Sequence, residues 1–235
     1  MTTPKTKFNT DYLLLLHALL DSPELMTRGM KCREILFQGL QIKPQDNKIT
    51  DVPGFETNLK YAAEELKWYY SGSSRIDFSP LIQRTWAKFS DDGVTANSAY
   101  GQYLFGLKFI TGIDKPISQW DWVKQELMMN PQSRRAVINI NQYYHKKLDT
   151  KDMPCTMFLQ FFIRQGRLYM LTAMRSQDIY LGMRNDVYCF TEMQKRMAKE
   201  LGVKLGAYHH FCSSLHLYET EYERARQALE KFKYY

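Results

Sequence analysis

The chain has 235 residues, of which 44% are hydrophobic and 14% aromatic, enough apolar mass for a packed core, and 1–235 reads as a single domain. No apolar stretch approaches the roughly 18 residues that cross a membrane, and the N-terminus lacks a cleavable signal pattern, so a membrane spanner and a signal-bearing secreted protein are both excluded as expectations. A formal net charge of +7 points to anionic ligands, whether phosphates of a small molecule, a nucleic acid or a lipid surface.

In chain order, residues 10–20 read as a first helix. Arg28 to Lys43 is strand-like, with Ile35-Leu36-Phe37 and Leu40-Gln41-Ile42. A loop rich in Asp, Asn, Pro and Gly covers Asp46 to Gly54. Leu59, Ala62, Ala63, Leu66, Tyr69 and Tyr70 recur at helical spacing until the breaker cluster Ser71-Gly72-Ser73-Ser74. Residues 75–98 read as mostly irregular, with Trp86 as the prominent apolar residue and Asp91-Asp92-Gly93 as a turn. Ser118 to Met129 suits a helix closed by Asn130-Pro131, and Ala136 to Asn141 partly alternates as a strand does. Two apolar runs, Met157 to Ile163 and Leu168 to Ala173, flank the polar turn Arg164-Gln165-Gly166-Arg167, which predicts a β-hairpin. Val187, Phe190, Met193, Met197 and Leu201 trace a further helix that Gly202 stops, and Tyr218 to Phe232 is helical with interleaved charges. This order is mixed rather than βαβ-periodic, so the expected class is α+β.

Cys155 stands at the mouth of the predicted hairpin, in Met153-Pro154-Cys155-Thr156. The four cysteines (Cys32, Cys155, Cys189, Cys212) have neither paired nor framework spacing, which predicts reduced cytosolic thiols. A thiol becomes a nucleophile at neutral pH when a positive charge lies close, and Arg175 is positioned to supply one across the hairpin. Arg175-Ser176-Gln177-Asp178 and Gly182-Met183-Arg184-Asn185-Asp186 follow within the same segment.

The ordered set Glu65, Trp86, Tyr100-Gly101, Ser133-Arg134-Arg135, Pro154-Cys155, Arg175-Ser176-x-Asp178, Gly182 and His216-Leu217-Tyr218 resembles the thymidylate synthase superfamily. Within it the match looks closest to the phage deoxycytidylate hydroxymethylases. Thr156 stands where His usually follows Pro-Cys, and Met174 replaces the Gln before Arg-Ser. Met183-Arg184-Asn185-Asp186 replaces Leu-Pro-Phe-Asn, so an aspartate takes the place of the base-reading asparagine. Asn97 to Tyr100 and Ser214-Leu215-His216 also fit the hydroxymethylase style.

The resemblance implies a synthase-like fold, a large twisted mixed sheet flanked by helices, joined sheet to sheet in a homodimer. It implies 5,10-methylenetetrahydrofolate as co-substrate, no metal, and dCMP as substrate. Cys155 would add to C6 of the pyrimidine, C5 would take the one-carbon unit, and water would complete a hydroxymethyl group. Glu65 would organise water and protons, with Tyr100 assisting at C5 and Asp186 reading the base. Arg28, Arg134, Arg135, Arg175 and Ser176 would hold the phosphate, Arg134 and Arg135 reaching across from the second subunit. His216 and Tyr218 would bind the sugar, and Asp178, Trp86 and Gly182 would lie near the folate. The short stretch after Tyr218, 17 residues, leaves out a long closing tail and so favours hydration over reduction to methyl. A cytoplasmic location follows, that of the host for a phage-encoded chain.

Blander readings stand beside these. A lone cysteine next to a strand is usually inert core. Glu65 could be a helix-surface charge, Trp86 core, and Arg134-Arg135 a solvated pair. Asp186 could cap a helix that begins there. His209-His210 has no companion metal ligand and reads as ordinary. At the level of function, a dCMP methyltransferase, a CMP hydroxymethylase and a nucleic-acid-binding protein on an inactive synthase scaffold remain as alternatives; retention of Cys155, Arg175 and Glu65 argues against the last.

Overall fold

The computed structural model describes residues 4–109 and 115–232, so both ends of the expected 1–235 domain lie outside the described residues. Helix α1 (Lys7–Asp21) begins at Thr6, whose side chain accepts from the Asn9 amide, and it buries Phe8, Tyr12, Leu13, Leu16 and Leu19 along one stripe. Strand β1 (Glu24–Thr27) turns through Arg28-Gly29, both at positive φ, into β2 (Met30–Ile42). Helix α2 (Leu59–Ser71) ends at left-handed Gly72. The 75–98 stretch is not irregular throughout: it contains α3 (Pro80–Trp86), started by the Ser79 side chain on the Ile82 amide and by Pro80 in the first turn. A helix of 7 residues is too short to declare itself by periodicity.

The short pair β3 (Lys108–Phe109) and β4 (Ile117–Ser118) precedes α4 (Gln119–Met129) and β5 (Val137–Asn139). The hairpin falls where the two apolar runs place it, as β6 (Thr156–Arg164) and β7 (Arg167–Met174). Gln165 and Gly166 both take positive φ, the two-residue turn whose twist matches that of its strands. Then come β8 (Gln177–Asp178), α5 (Arg184–Leu201) closed by left-handed Gly202, β9 (Lys204–Tyr218) and α6 (Tyr222–Glu230).

These strands make a seven-stranded mixed sheet in the order β1-β2-β9-β7-β6-β5, with β8 continuing beside β9. The α+β expectation holds. Strand β9 is antiparallel to β2 and parallel to β7 and β8. Sequence patterning did not assign it, because Gly206, His209, His210, Ser213 and Ser214 are poor strand signals taken singly. Leu159, Phe161, Leu168, Met170, Tyr208 and His210 point to the buried face. Trp120 of α4 meets Phe161 edge-on there, and Gln194 of α5 donates to the Leu168 carbonyl. The opposite face is only half covered, with Phe162, Tyr169, Leu171, His209 and Phe211 partly open. No helix among the described residues is long and apolar enough to cross a membrane.

Candidate active site

Cys155 immediately precedes β6, at the end of the hairpin away from its turn. The register slips between Thr156 and Phe158, and the Met157 carbonyl accepts from both the Ile140 and Asn141 amides, so the strand bends where the cysteine emerges. Arg175 leaves β7 at the same end. Its amide donates to the Cys155 carbonyl (2.8 Å), Nη2 to the Met153 carbonyl (2.6 Å) and Nε to the Pro154 carbonyl (3.1 Å). The same Nη2 lies 3.8 Å from Cys155 Sγ. The loop before the cysteine is pinned from the other side: buried Asp152 accepts from the Ser98 amide (2.7 Å) and the Ser98 hydroxyl, and Asp91 accepts from the Lys151 amide (2.7 Å).

The cation is therefore where the sequence put it, but its effect on the thiol is smaller than expected. Burial pushes the Cys155 thiol up to about 11; Arg175 pulls against this, and Asp186, Asp152 and Asp178 reinforce it. At neutral pH the thiol in the free protein is protonated, and activation requires a group that takes its proton.

Asp186 does not cap the helix. Helix α5 starts at Arg184, directly after a π-helical turn over Ile179–Met183, which brings Asp186 into the first turn with its side chain turned inward. Gln177 Nε2 donates to Asp186 Oδ2 at 2.9 Å. The contact needs Gly182, because a Cβ there would stand 2.5 Å from Gln177 Nε2 and 3.1 Å from Asp186 Oδ2. Burial raises the Asp186 carboxyl to about 6, with Gln177 opposing.

Glu65 is buried on α2, not on its solvent face. Burial first, and the Asp186 charge second, raise it to about 8. Tyr61, one turn earlier on the same face, donates to Glu65 Oε1 (2.7 Å) and accepts from Trp86 Nε1 (3.1 Å). Tyr100 stacks between Tyr69 and Phe190, and burial and then the nearby Cys155 hold its hydroxyl well above its ordinary range. Gly101 lets that backbone approach α2: a Cβ there would fall 1.9 Å from the Tyr69 carbonyl oxygen.

On the other flank Asp178 accepts from the Tyr180 (2.7 Å) and Leu181 (2.9 Å) amides and faces His216 across the β8–β9 pairing. Burial raises the Asp178 carboxyl and lowers the His216 imidazole from their ordinary values, each opposed by the charge of the other. His216 packs edge-on against Tyr218, whose hydroxyl feels Asp178, Cys155 and Arg28, while Ser176 lies half-buried beside Arg175. Contacts and charge effects thus link Cys155, Arg175, Tyr100, Asp186 and Glu65 to one another, with Trp86 reached through Tyr61, Gly182 against Asp186, and Asp178 facing His216 and Tyr218. Ser176 is placed there by its neighbour Arg175 and Arg28 by its charge on Tyr218. Arg134 and Arg135 share none of these contacts. Arg134 is exposed, and Arg135 forks onto Glu126 of its own α4, with Nη2 at 3.0 Å from both carboxylate oxygens.

Across this arrangement a thiol, two raised carboxyls and a guanidinium face a common space, the equipment for covalent addition to an electrophilic ring with proton transfer. A family model for thymidylate synthase matches residues 12–234. The chain belongs to the thymidylate synthase family. It is also 30% identical over 207 residues to a deoxyuridylate hydroxymethyltransferase of Bacillus phage SP01, an alignment covering 84% of this chain and 53% of that protein. The chain therefore spans about half the length of that curated relative.

Several residues that complete this thymidylate synthase-family site did not stand out in the sequence. Tyr61 was legible in principle, since a tyrosine four residues before Glu65 shares its helix face. Gln177, His210 and Tyr208, which lie behind Asp186, carried no signal, and His210 read as an ordinary core residue. Among the described residues no cluster of three or more metal-ligating side chains occurs.

Proposed function

We propose that the protein hydroxymethylates C5 of dCMP, with methylenetetrahydrofolate as the one-carbon donor and Cys155 bonding transiently to C6 of the ring. The observation that carries this reading is Asp186, an inward-turned carboxyl close enough to Cys155 and Glu65 for its charge to act on both, at the position where the family resemblance puts the base reader. Cytosine offers an amino donor at position 4 and a bare acceptor at ring N3. A carboxyl raised to about 6 accepts from the first and can share a proton with the second. An asparagine would suit uracil better, donating to its 4-carbonyl and accepting from N3–H.

The remaining residues fit their expected work. Glu65, raised to about 8, is close enough to neutrality to relay protons, taking one from the water whose oxygen bonds to the methylene on C5 once its own proton has passed on. Tyr100, next to Cys155, is the neighbour suited to assist the proton leaving C5. Arg175 and Ser176 favour a phosphate at the hairpin mouth, with Arg28 near Tyr218 and His216 on the sugar side. Half-buried Trp86 offers an aromatic face, and the Asp178 carboxyl with exposed Leu181 beside it offers an acceptor, the kinds of group that suit a pterin ring, which stacks and donates. Methylenetetrahydrofolate bound there would supply the one-carbon unit.

We further propose a homodimer through the half-covered sheet face. Arg134, exposed and remote from its own cleft, would reach the partner's phosphate site, whereas Arg135 would first have to leave Glu126. Sedimentation showing an active monomer at assay concentration would overturn this.

The relative's substrate favours a second reading, hydroxymethylation of dUMP. One experiment separates them: incubate the protein with methylenetetrahydrofolate and either dCMP or dUMP, and weigh the nucleotide. Addition of a hydroxymethyl group to dCMP supports the first reading and addition to dUMP alone supports the second. A methyl group indicates a synthase, and no change on either nucleotide removes the enzymatic reading.

A further inference from the structure

Asp186 is the end of a buried hydrogen-bond chain whose direction is fixed. Gln177 Nε2 donates to Asp186 Oδ2, so Gln177 Oε1 is the end that faces His210 Nε2, at 3.0 Å. An amide oxygen only accepts, so His210 Nε2 carries the hydrogen. Burial pushes His210 down to about 4, leaving the ring neutral. Its Nδ1 then has a lone pair and accepts from the Tyr208 hydroxyl at 2.9 Å. Tyr208, His210 and Gln177 are all at most 2% exposed, so water does not compete for these bonds.

That direction matters because a neutral carboxyl is ambivalent. With the proton on one oxygen it complements cytosine, and with the proton on the other it complements uracil in the same pose. We propose that Gln177 sets the choice between cytosine and uracil by denying Asp186 Oδ2 a proton, so that the carboxyl meets the base in one protonation pattern only. Oδ2 already accepts from Gln177 and has a second lone pair for the cytosine amino group. Any proton is confined to Oδ1, which faces ring N3. The inference rests on the dCMP reading above. Glu65 and Tyr69 from α2, Tyr100, Cys155, Cys189 of α5, and Tyr208 and His210 of β9 surround the carboxyl. Among the described residues Gln177 alone hydrogen-bonds it.

The test is Gln177→Met, which keeps length but donates nothing. kcat/KM is measured for dCMP and for dUMP across pH in parent and variant, alongside thermal unfolding. The dCMP-over-dUMP preference should fall by about tenfold, the value of one lost charge-assisted hydrogen bond. The limb of the pH profile belonging to Asp186 should also move to higher pH, because donation from Gln177 favours the carboxylate and its loss raises the pKa. A merely structural role for Gln177 lowers both substrates alike and leaves the limb in place, which overturns the proposal. Should Gln177→Met fail to fold, Tyr208→Phe removes a single oxygen and unlocks the His210 tautomer. It should move both readouts the same way by a smaller amount, and no movement refutes the chain. If the parent itself prefers dUMP, the dCMP reading fails; the role of Gln177 is then judged separately by whether Gln177→Met widens that preference, as freeing Oδ2 to hold a proton requires, and a narrowed or unchanged preference overturns it.

Discussion

Glu65→Gln should make the protein more stable at high pH while destroying its activity. Glu65 is 4% exposed, and burial with the adjacent Asp186 raises it from 4.5 to about 8. The folded protein therefore keeps a proton that the unfolded chain releases above roughly pH 4.5. The stability tied to that proton is complete below pH 4.5 and is lost as pH rises through about 8. A rise of this size, at about 1.4 kcal/mol per pH unit, corresponds to roughly 4 to 5 kcal/mol at its fullest. Glutamine keeps an oxygen for the Tyr61 hydroxyl but does not titrate. Urea unfolding between about pH 5 and pH 9 should give a parent curve that falls with pH and a flatter variant curve, the two separating by a few kcal/mol at the alkaline end. Asp186 titrates in both proteins, so the difference between the curves reports Glu65 together with its coupling to Asp186. Parallel curves would mean that Glu65 ionises as a surface carboxylate does, and the account of a proton-holding group in the cleft would be refuted.

Cys155→Ser should abolish turnover while leaving nucleotide binding and unfolding behaviour close to the parent, since a serine hydroxyl is a far weaker nucleophile than a thiolate; residual activity above about a tenth would remove Cys155 from the mechanism. Asp186→Asn should shift the kcat/KM ratio from dCMP toward dUMP by at least roughly tenfold, since each mismatched buried pairing costs about 1 to 3 kcal/mol. Equal loss on both nucleotides would instead make Asp186 a group needed for chemistry. Gly101→Ala should cost about 3 kcal/mol in urea unfolding, because its Cβ would lie 1.9 Å from the Tyr69 carbonyl oxygen of α2 and that helix must move. A cost below about 1 kcal/mol would show that the Tyr100 segment is not wedged against α2 as described.

The hairpin was readable because two apolar runs flank a polar turn that contains Gly166, and Cys155 and Arg175 come together as a direct result of that register. Strand β9 was not readable, since its histidines and serines are buried by virtue of partners on β2 and β7 that local pattern does not contain. Helix α3 was marked by Ser79-Pro80 but is too short for periodicity to support. The start of α5 lay two residues earlier than the aspartate suggested, because the π-helical turn before it carries the helix up to Arg184. Spacing also showed that a guanidinium could reach the thiol, but not that desolvation would outweigh it. The Tyr208–His210–Gln177 chain is the clearest loss: His210 and Gln177 are 33 residues apart and meet only because separate strands bring them to one face.

Strand β9 also governs the order in which the molecule can assemble. It lies between β2 and β7, binding one antiparallel and the other parallel, and carries His216 and Tyr218 beside Asp178 and His210 behind Gln177. Until residues 204–218 have been synthesised, β2 and the β5-β6-β7 group are separate sheets with open edges facing each other across a gap. Such edges are templates for pairing with other chains, and closing a gap between segments so distant in sequence is slow. The hairpin with Cys155 thus precedes β9 in the chain, yet the surroundings of Asp186 close only when the last strand enters, making the stretch of synthesis between β7 and β9 the interval of greatest exposure to aggregation.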